Sequence, residues 1–237
     1  MISLDYIEPI IATVALLYVY FVSATLTGYG QAWLAKKMGD TTAEDLGYLS
    51  WNPFAHVDLF GLLALLVVGF GWAGPQPIDE TQIKPTWYTA RLLLVHIARP
   101  LFSLVLVIIA LMLLIITLGA APLIVVLDKF FSHGVSLDYL AIIFPERSSL
   151  ALVISLIMFL LIFFNFFTAI VIGVGQLFRY FFLLGSQKKL FPAEYLEYFV
   201  FAGSFLTVFF FAGPLYRLLF QCIMYSTYGL GTLFGAL

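Results

Sequence analysis

Residues able to do polar chemistry are few in this chain. Its three histidines are His56, His96 and His133, and its one cysteine is Cys222. His56 and Asp58 stand two apart in Asn52-Pro53-Phe54-Ala55-His56-Val57-Asp58, and His96 opens a later apolar run. A catalytic zinc needs three protein ligands and an open position for water. The helical arrangement that most often supplies two of them, H-E-x-x-H, occurs nowhere in the sequence. His56, Asp58 and His96 are the only set that could be combined into a metal site, and a loop histidine near an interface is more often hydrogen-bonded or solvated. Ser155, Asn165 and Thr168 lie in one apolar run, where interhelical hydrogen bonds are the expected use of such side chains. No base stands at a recognisable spacing to activate a serine, and no Ser-Lys pair appears. A single cysteine makes no internal disulfide and leaves the redox compartment open.

The elements that must position these residues are membrane helices. Hydrophobic residues make up 63% of the 237 and charged residues 10%, more apolar surface than a soluble domain of this size can bury. The formal net charge of −2 gives no reason to expect nucleic acid as a partner. About 20 apolar residues cross a bilayer as a helix. Runs of that length lie at roughly Ile7 to Leu26, Pro100 to Leu127, Leu150 to about Val174 (with Phe-rich continuation to Leu184) and Tyr198 to Leu219. The first is read as a retained span, because Asp5 and Glu8 precede it where a signal peptide carries positive charge. Leu59 to Trp72 is too short to cross and suits a re-entrant or interfacial segment. The fold class is therefore all-α, a polytopic helical membrane protein of about four spanning helices plus that short segment, in one domain over 1–237.

Charge placement gives the topology. If Leu59 to Trp72 does not cross, one side holds eight cations: Lys36, Lys37, Lys84, Arg91, Arg99, Arg179, Lys188 and Lys189. The other holds three: Lys129, Arg147 and Arg217. If it crosses, the split is five against six. The excess of Lys and Arg belongs to the cytoplasmic side, so the re-entrant arrangement is expected, with the N-terminus outside a bacterial-type inner membrane.

Three sequence words are more specific. Gly39, Asp40, Thr42 and Ala43 form the first; Asn52, Pro53, His56 and Asp58 the second; Phe70, Gly71, Trp72, Ala73, Pro75 and Pro77 the third. In order and spacing this stretch resembles the site-2 protease family of intramembrane zinc metalloproteases, with Gly74 where a lysine is usual. The resemblance implies an H-E-x-x-H motif on the helix just before Gly39. At those positions stand Thr27 and Gln31 in place of the histidine ligands and Gly28 in place of the glutamate base. It further implies an aspartate ligand on a later helix, after an asparagine. Asn165 matches the asparagine, and Gly173 stands where the aspartate would be. All three expected ligands and the base are missing, so no zinc and no other cofactor is expected.

The reading that follows is a catalytically inactive homologue, a pseudoprotease kept as an accessory or structural subunit of a membrane complex. Its partners would be the bilayer and other integral membrane proteins, met through the Phe-rich stretches Phe159 to Phe182 and Phe199 to Phe211. Gly231 and Gly235 add one small-xxx-small spacing. The small residues Thr27, Gly28, Gly30 and Gly173 predict a tight helix contact at the former metal position, or else a small pocket for a lipid tail or a partner side chain. Two alternatives stand beside it. One is an active metalloprotease with an atypical site. The other is a small transporter or channel component, ranked last because no charged residue is expected deep in a span.

Overall fold

In a computed structural model the described residues are 4–68, 71–119 and 137–187. They form six α-helices: α1 (Leu4–Met38), α2 (Thr42–Asp45), α3 (Leu59–Val68), α4 (Tyr88–Leu118), α5 (Leu137–Ile143) and α6 (Ser149–Gln187). Short 3-10 turns cover Pro53–Ala55 and Glu80–Gln82. Helices α1, α4 and α6 are each long and apolar enough to cross a membrane. The protein is an all-α membrane protein in its described part. The fourth span, the tail with Cys222, and also His133 and Phe70 lie outside the described residues.

The helices run further than the apolar runs suggested. α1 continues past Leu26 through Lys37, and α4 starts at Tyr88 rather than Pro100 and stops at Leu118. Leu92, Val95 and Ala98 are buried at helical spacing ahead of Pro100, so the buried stripe carries the helix through polar residues that hydropathy alone assigns to a loop. Gly119, at φ +87° with its N–H on Ile115 O, ends α4. One consequence is a correction: Arg99 is no loop cation but a buried residue inside the membrane-length helix α4.

The described residues fall into two compact units. One takes 4–19, 106–119 and 137–164, with Leu111, Leu114, Leu140, Leu156 and Phe159 buried in it. The other takes 20–68, 71–105 and 165–187 and holds every sequence word quoted above that lies within the described residues. Its buried cluster is Ala35, Ile83, Leu92, Val95 and Tyr180.

Within the second unit the segment after α1 leaves and returns. α3 is ten residues long, about 15 Å at 1.5 Å per residue and half of a hydrocarbon core of about 30 Å. Its ends meet: Val57 and Ala73 form an antiparallel bridge, and Gly74 N–H donates to His56 O at 2.8 Å. Tyr20 of α1 donates from its hydroxyl toward both Asp58 O (3.2 Å) and Trp72 O (3.0 Å). Further on, Lys84 N–H donates to Met38 O at 3.0 Å, which returns the chain to the end of α1.

Candidate functional site

The three sequence words build the walls of the site by capping backbone. Gly39 has φ +116°, a conformation open to glycine, and turns the chain out of α1. Asp40, fully buried, accepts from Thr42 N–H with one oxygen and from Asp79 N–H with the other, both at 2.9 Å. That carboxylate ties the first word to the end of the third. Asn52 accepts from Phe54 N–H at 3.1 Å and caps a turn begun by Pro53. Asp58 accepts from Gly61 N–H at 2.6 Å and caps α3. Gly71 packs against Gly61, Pro75 is exposed and Pro77 half-buried.

The positions where the resemblance implies ligands are committed elsewhere. Thr27 donates its hydroxyl to Ser23 O, one turn back in its own helix, at 2.7 Å. Gln31 donates from Nε2 to Val95 O of α4 at 3.2 Å. Gly28 lies directly under the imidazole of His56. A Cβ there would collide with Nδ1 and stand 3.0 Å from the ring carbon Cγ. Gly173 on α6 faces Pro100, where a Cβ would make only ordinary contact at 3.4 Å. Asn165 donates to Ser23 Oγ at 2.7 Å, an interhelical bond of the kind expected. Ser155 instead bonds its own helix at Ala151 O, and the Thr168 hydroxyl is buried without a partner among the described residues.

His56 is fully buried and held from two sides. Nε2 lies 2.8 Å from Ser50 O, so it carries the proton and donates. Nδ1 is left to accept from Gln76 Nε2 at 3.4 Å. Burial holds its pKa below the usual histidine value, the Ser50 bond opposes this, and the Arg99 charge adds to it. Both ring nitrogens are engaged, and neither is free for a metal.

The combination of His56, Asp58 and His96 does not come together as a site. Asp58 caps α3, while His96 faces Gln176 Oε1 at 3.3 Å and Glu80 at 3.8 Å. No group of three His, Cys, Asp or Glu able to hold a metal occurs among the described residues. Zinc wants thiolate, imidazole or carboxylate donors in a tetrahedron. A hydroxyl turned into its helix, a side-chain amide bound to a carbonyl, and two glycines do not fit it.

Arg99 is the residue that sequence reasoning missed. It is buried and donates from Nη1 to Ala73 O (3.2 Å) and from Nη2 to Gly74 O (2.6 Å), fastening the third word to α4. The signal was available: Arg99 follows Leu92, Val95 and Ala98 on a helical repeat, so it sits within a buried stripe.

The chain is 36% identical over 128 residues to YwhC of Bacillus subtilis (strain 168), a protein provisionally named a zinc metalloprotease. The match covers 52% of this chain and 58% of that protein. The chain is a helical membrane protein that is similar to this relative over about half of its own length. No protein-family profile matches the chain, and no solved structure does.

Proposed function

We propose that this site-2-protease-like protein hydrolyses nothing and serves as an accessory or structural subunit of a membrane protein complex. The observation that carries the reading is the seat of His56. Its imidazole lies on Gly28, where the resemblance implies the general base, and both ring nitrogens are already bonded. A water activated for peptide hydrolysis needs a metal or a base beside it, and Thr27, Gly28, Gln31 and Gly173 offer neither. The residues that cap and fasten the loops are present, from Asp40 to Asn52, Asp58 and Gly71, which supports a scaffold that stands without the chemistry. What such a scaffold retains is a bilayer-embedded surface, and association in lipid rests on packing between helices. The inner-membrane location with the N-terminus outside belongs to the same proposal and rests on the charge split, seven to three once the buried Arg99 is left out.

Metal analysis of the purified chain, together with cleavage assays on membrane-embedded substrates, tests the inactive state. The expected result is well under one zinc per chain and no cleavage above a mock preparation. A stoichiometric zinc whose chelation abolishes cleavage would replace this reading with the metalloprotease one.

A further inference from the structure

Away from the positions that replace the ligands, polar side chains of α4 and α6 meet the turn at Glu80, all within one compact unit. His96 on α4 is fully buried, and Gln176 and Arg179 stand one turn apart on α6. His96 Nδ1 lies 3.3 Å from Gln176 Oε1. An amide oxygen only accepts, so Nδ1 carries a proton and donates. In the neutral ring Nε2 then holds a lone pair and no proton. That lone pair faces Glu80 Oε1 at 3.8 Å, and Nε2 has no hydrogen-bond partner among the described residues. Arg179 Nη2 stands 4.0 Å from the same carboxylate oxygen.

A lone pair set against a carboxylate repels it, and low polarity around the two makes the conflict stronger. One proton reverses the sign. An imidazolium donating to the carboxylate and a carboxyl donating to Nε2 give the same contact, so the proton belongs to the pair. Burial is the largest influence on Glu80 and raises its pKa, the Arg179 charge opposes this, and the Asp79 and Asp40 charges add to it. The charged groups around the pair are thus Arg179 from α6, which also faces the ring, Asp79 from the turn itself and Asp40 from the segment after α1. A metal ion is a poor occupant. The Arg179 cation stands on the same carboxylate, and no set of three metal-binding side chains occurs among the described residues. The turn is otherwise held from its far end, by Ile83 in the buried cluster and by Lys84 N–H on Met38 O. Glu80 is the side chain through which it reaches α4 and α6 together.

We infer that Glu80 and His96 share one exchangeable proton that latches the Glu80–Gln82 turn to α4 and α6, closed while the proton is bound and loosened when it leaves. The latched state binds the proton more tightly than the loosened one. The latch is therefore fully closed in acid and opens as pH rises through the value at which the pair gives up its proton. Its sign is opposite to that of His56, whose protonation weakens the fold. The inference is independent of the pseudoprotease reading, since Thr27, Gly28, Gln31 and Gly173 take no part in it.

Amide hydrogen exchange of the full chain in detergent tests it, read on the turn and corrected for the intrinsic pH dependence of exchange. Gln82 N–H donates to Asp79 O, Ile83 N–H to Glu80 O and Lys84 N–H to Met38 O, so these amides report whether the turn is closed. Their protection should be about tenfold greater at about pH 5.5 than at about pH 8, the effect of one charge-assisted hydrogen bond. Glu80→Gln keeps an oxygen for Arg179 and gives His96 a permanent donor, so its protection should be high and equal at both pH values. Arg179→Gln removes the cation that opposes the proton and should move the midpoint of the change to higher pH, which a merely structural role would not do. Equal protection of the unaltered chain at both pH values, or less protection in acid, would overturn the latch. So would a pH dependence that persists in Glu80→Gln, or a midpoint that Arg179→Gln leaves in place.

Discussion

At the residue scale the decisive contact is between Gly28 and His56. An added methyl at position 28 has nowhere to go, because the ring it meets is bonded through both nitrogens. Alanine is ordinarily the better helix former by about 1 kcal/mol, yet overpacking typically costs about 1–3 kcal/mol. Gly28→Ala should therefore lower the thermal midpoint in detergent, whereas the same change at Gly173, where a Cβ meets only ordinary contact, should not. His56 also gives the fold a pH dependence. Its folded pKa lies below the ordinary value of 6.5, so below pH 6.5 the unfolded chain binds the proton first. Stability then falls as pH drops from 6.5 through the folded pKa and levels off beneath it. His56→Gln should flatten that part of a midpoint-against-pH curve. An unchanged slope would place its origin in another group.

At the element scale the α3 excursion is fixed by its ends. Tyr20 holds Asp58 and Trp72 together, the 57–73 bridge closes the neck, and Lys84 returns to Met38. A segment whose two ends share one hydroxyl cannot put them on opposite faces of a bilayer. Lys37→Cys and Lys84→Cys, each in a Cys222→Ser background, should therefore react with an impermeant maleimide from the same side of sealed vesicles. Reaction from opposite sides would reject the re-entrant arrangement. Arg99 matters at this scale as well. A guanidinium buried within a spanning helix is costly and is kept where it is paired or put to use. Here it spends its donors on the carbonyls of Ala73 and Gly74, which pins the loop against α4.

At the scale of the whole molecule the proposed role is binding within the membrane. The exposed faces of α6 include Leu177, Phe178 and Phe181, side chains as suited to lipid as to a neighbouring helix. Cross-linking in the native membrane, followed by native electrophoresis, should find the chain in an assembly larger than a monomer. Migration as a monomer alone, with no change in the abundance of other membrane proteins on deletion, would remove the subunit role. Zinc content would be unaffected by that outcome, so inactivity and subunit role can fail separately.

The sequence by itself determined the solvent and the family likeness. Long apolar runs admit only helices in a bilayer, because every backbone group must be bonded within the segment. The three words carried the likeness to site-2 proteases, since capping residues such as Asn52, Asp58 and Asp40 act over a few positions and leave a local signature. That Thr27, Gly28, Gln31 and Gly173 are not the ligands and base the resemblance implies was equally plain, because donor chemistry is a property of residue type. Only the tertiary structure decided what took their place. That His56 rests on Gly28 depends on two residues 28 apart meeting across a loop, and no periodicity encodes such a meeting. The early start of α4 and the burial of Arg99 were hidden for a related reason. Hydropathy averages over all faces of a helix, whereas burial depends on the one face that packs.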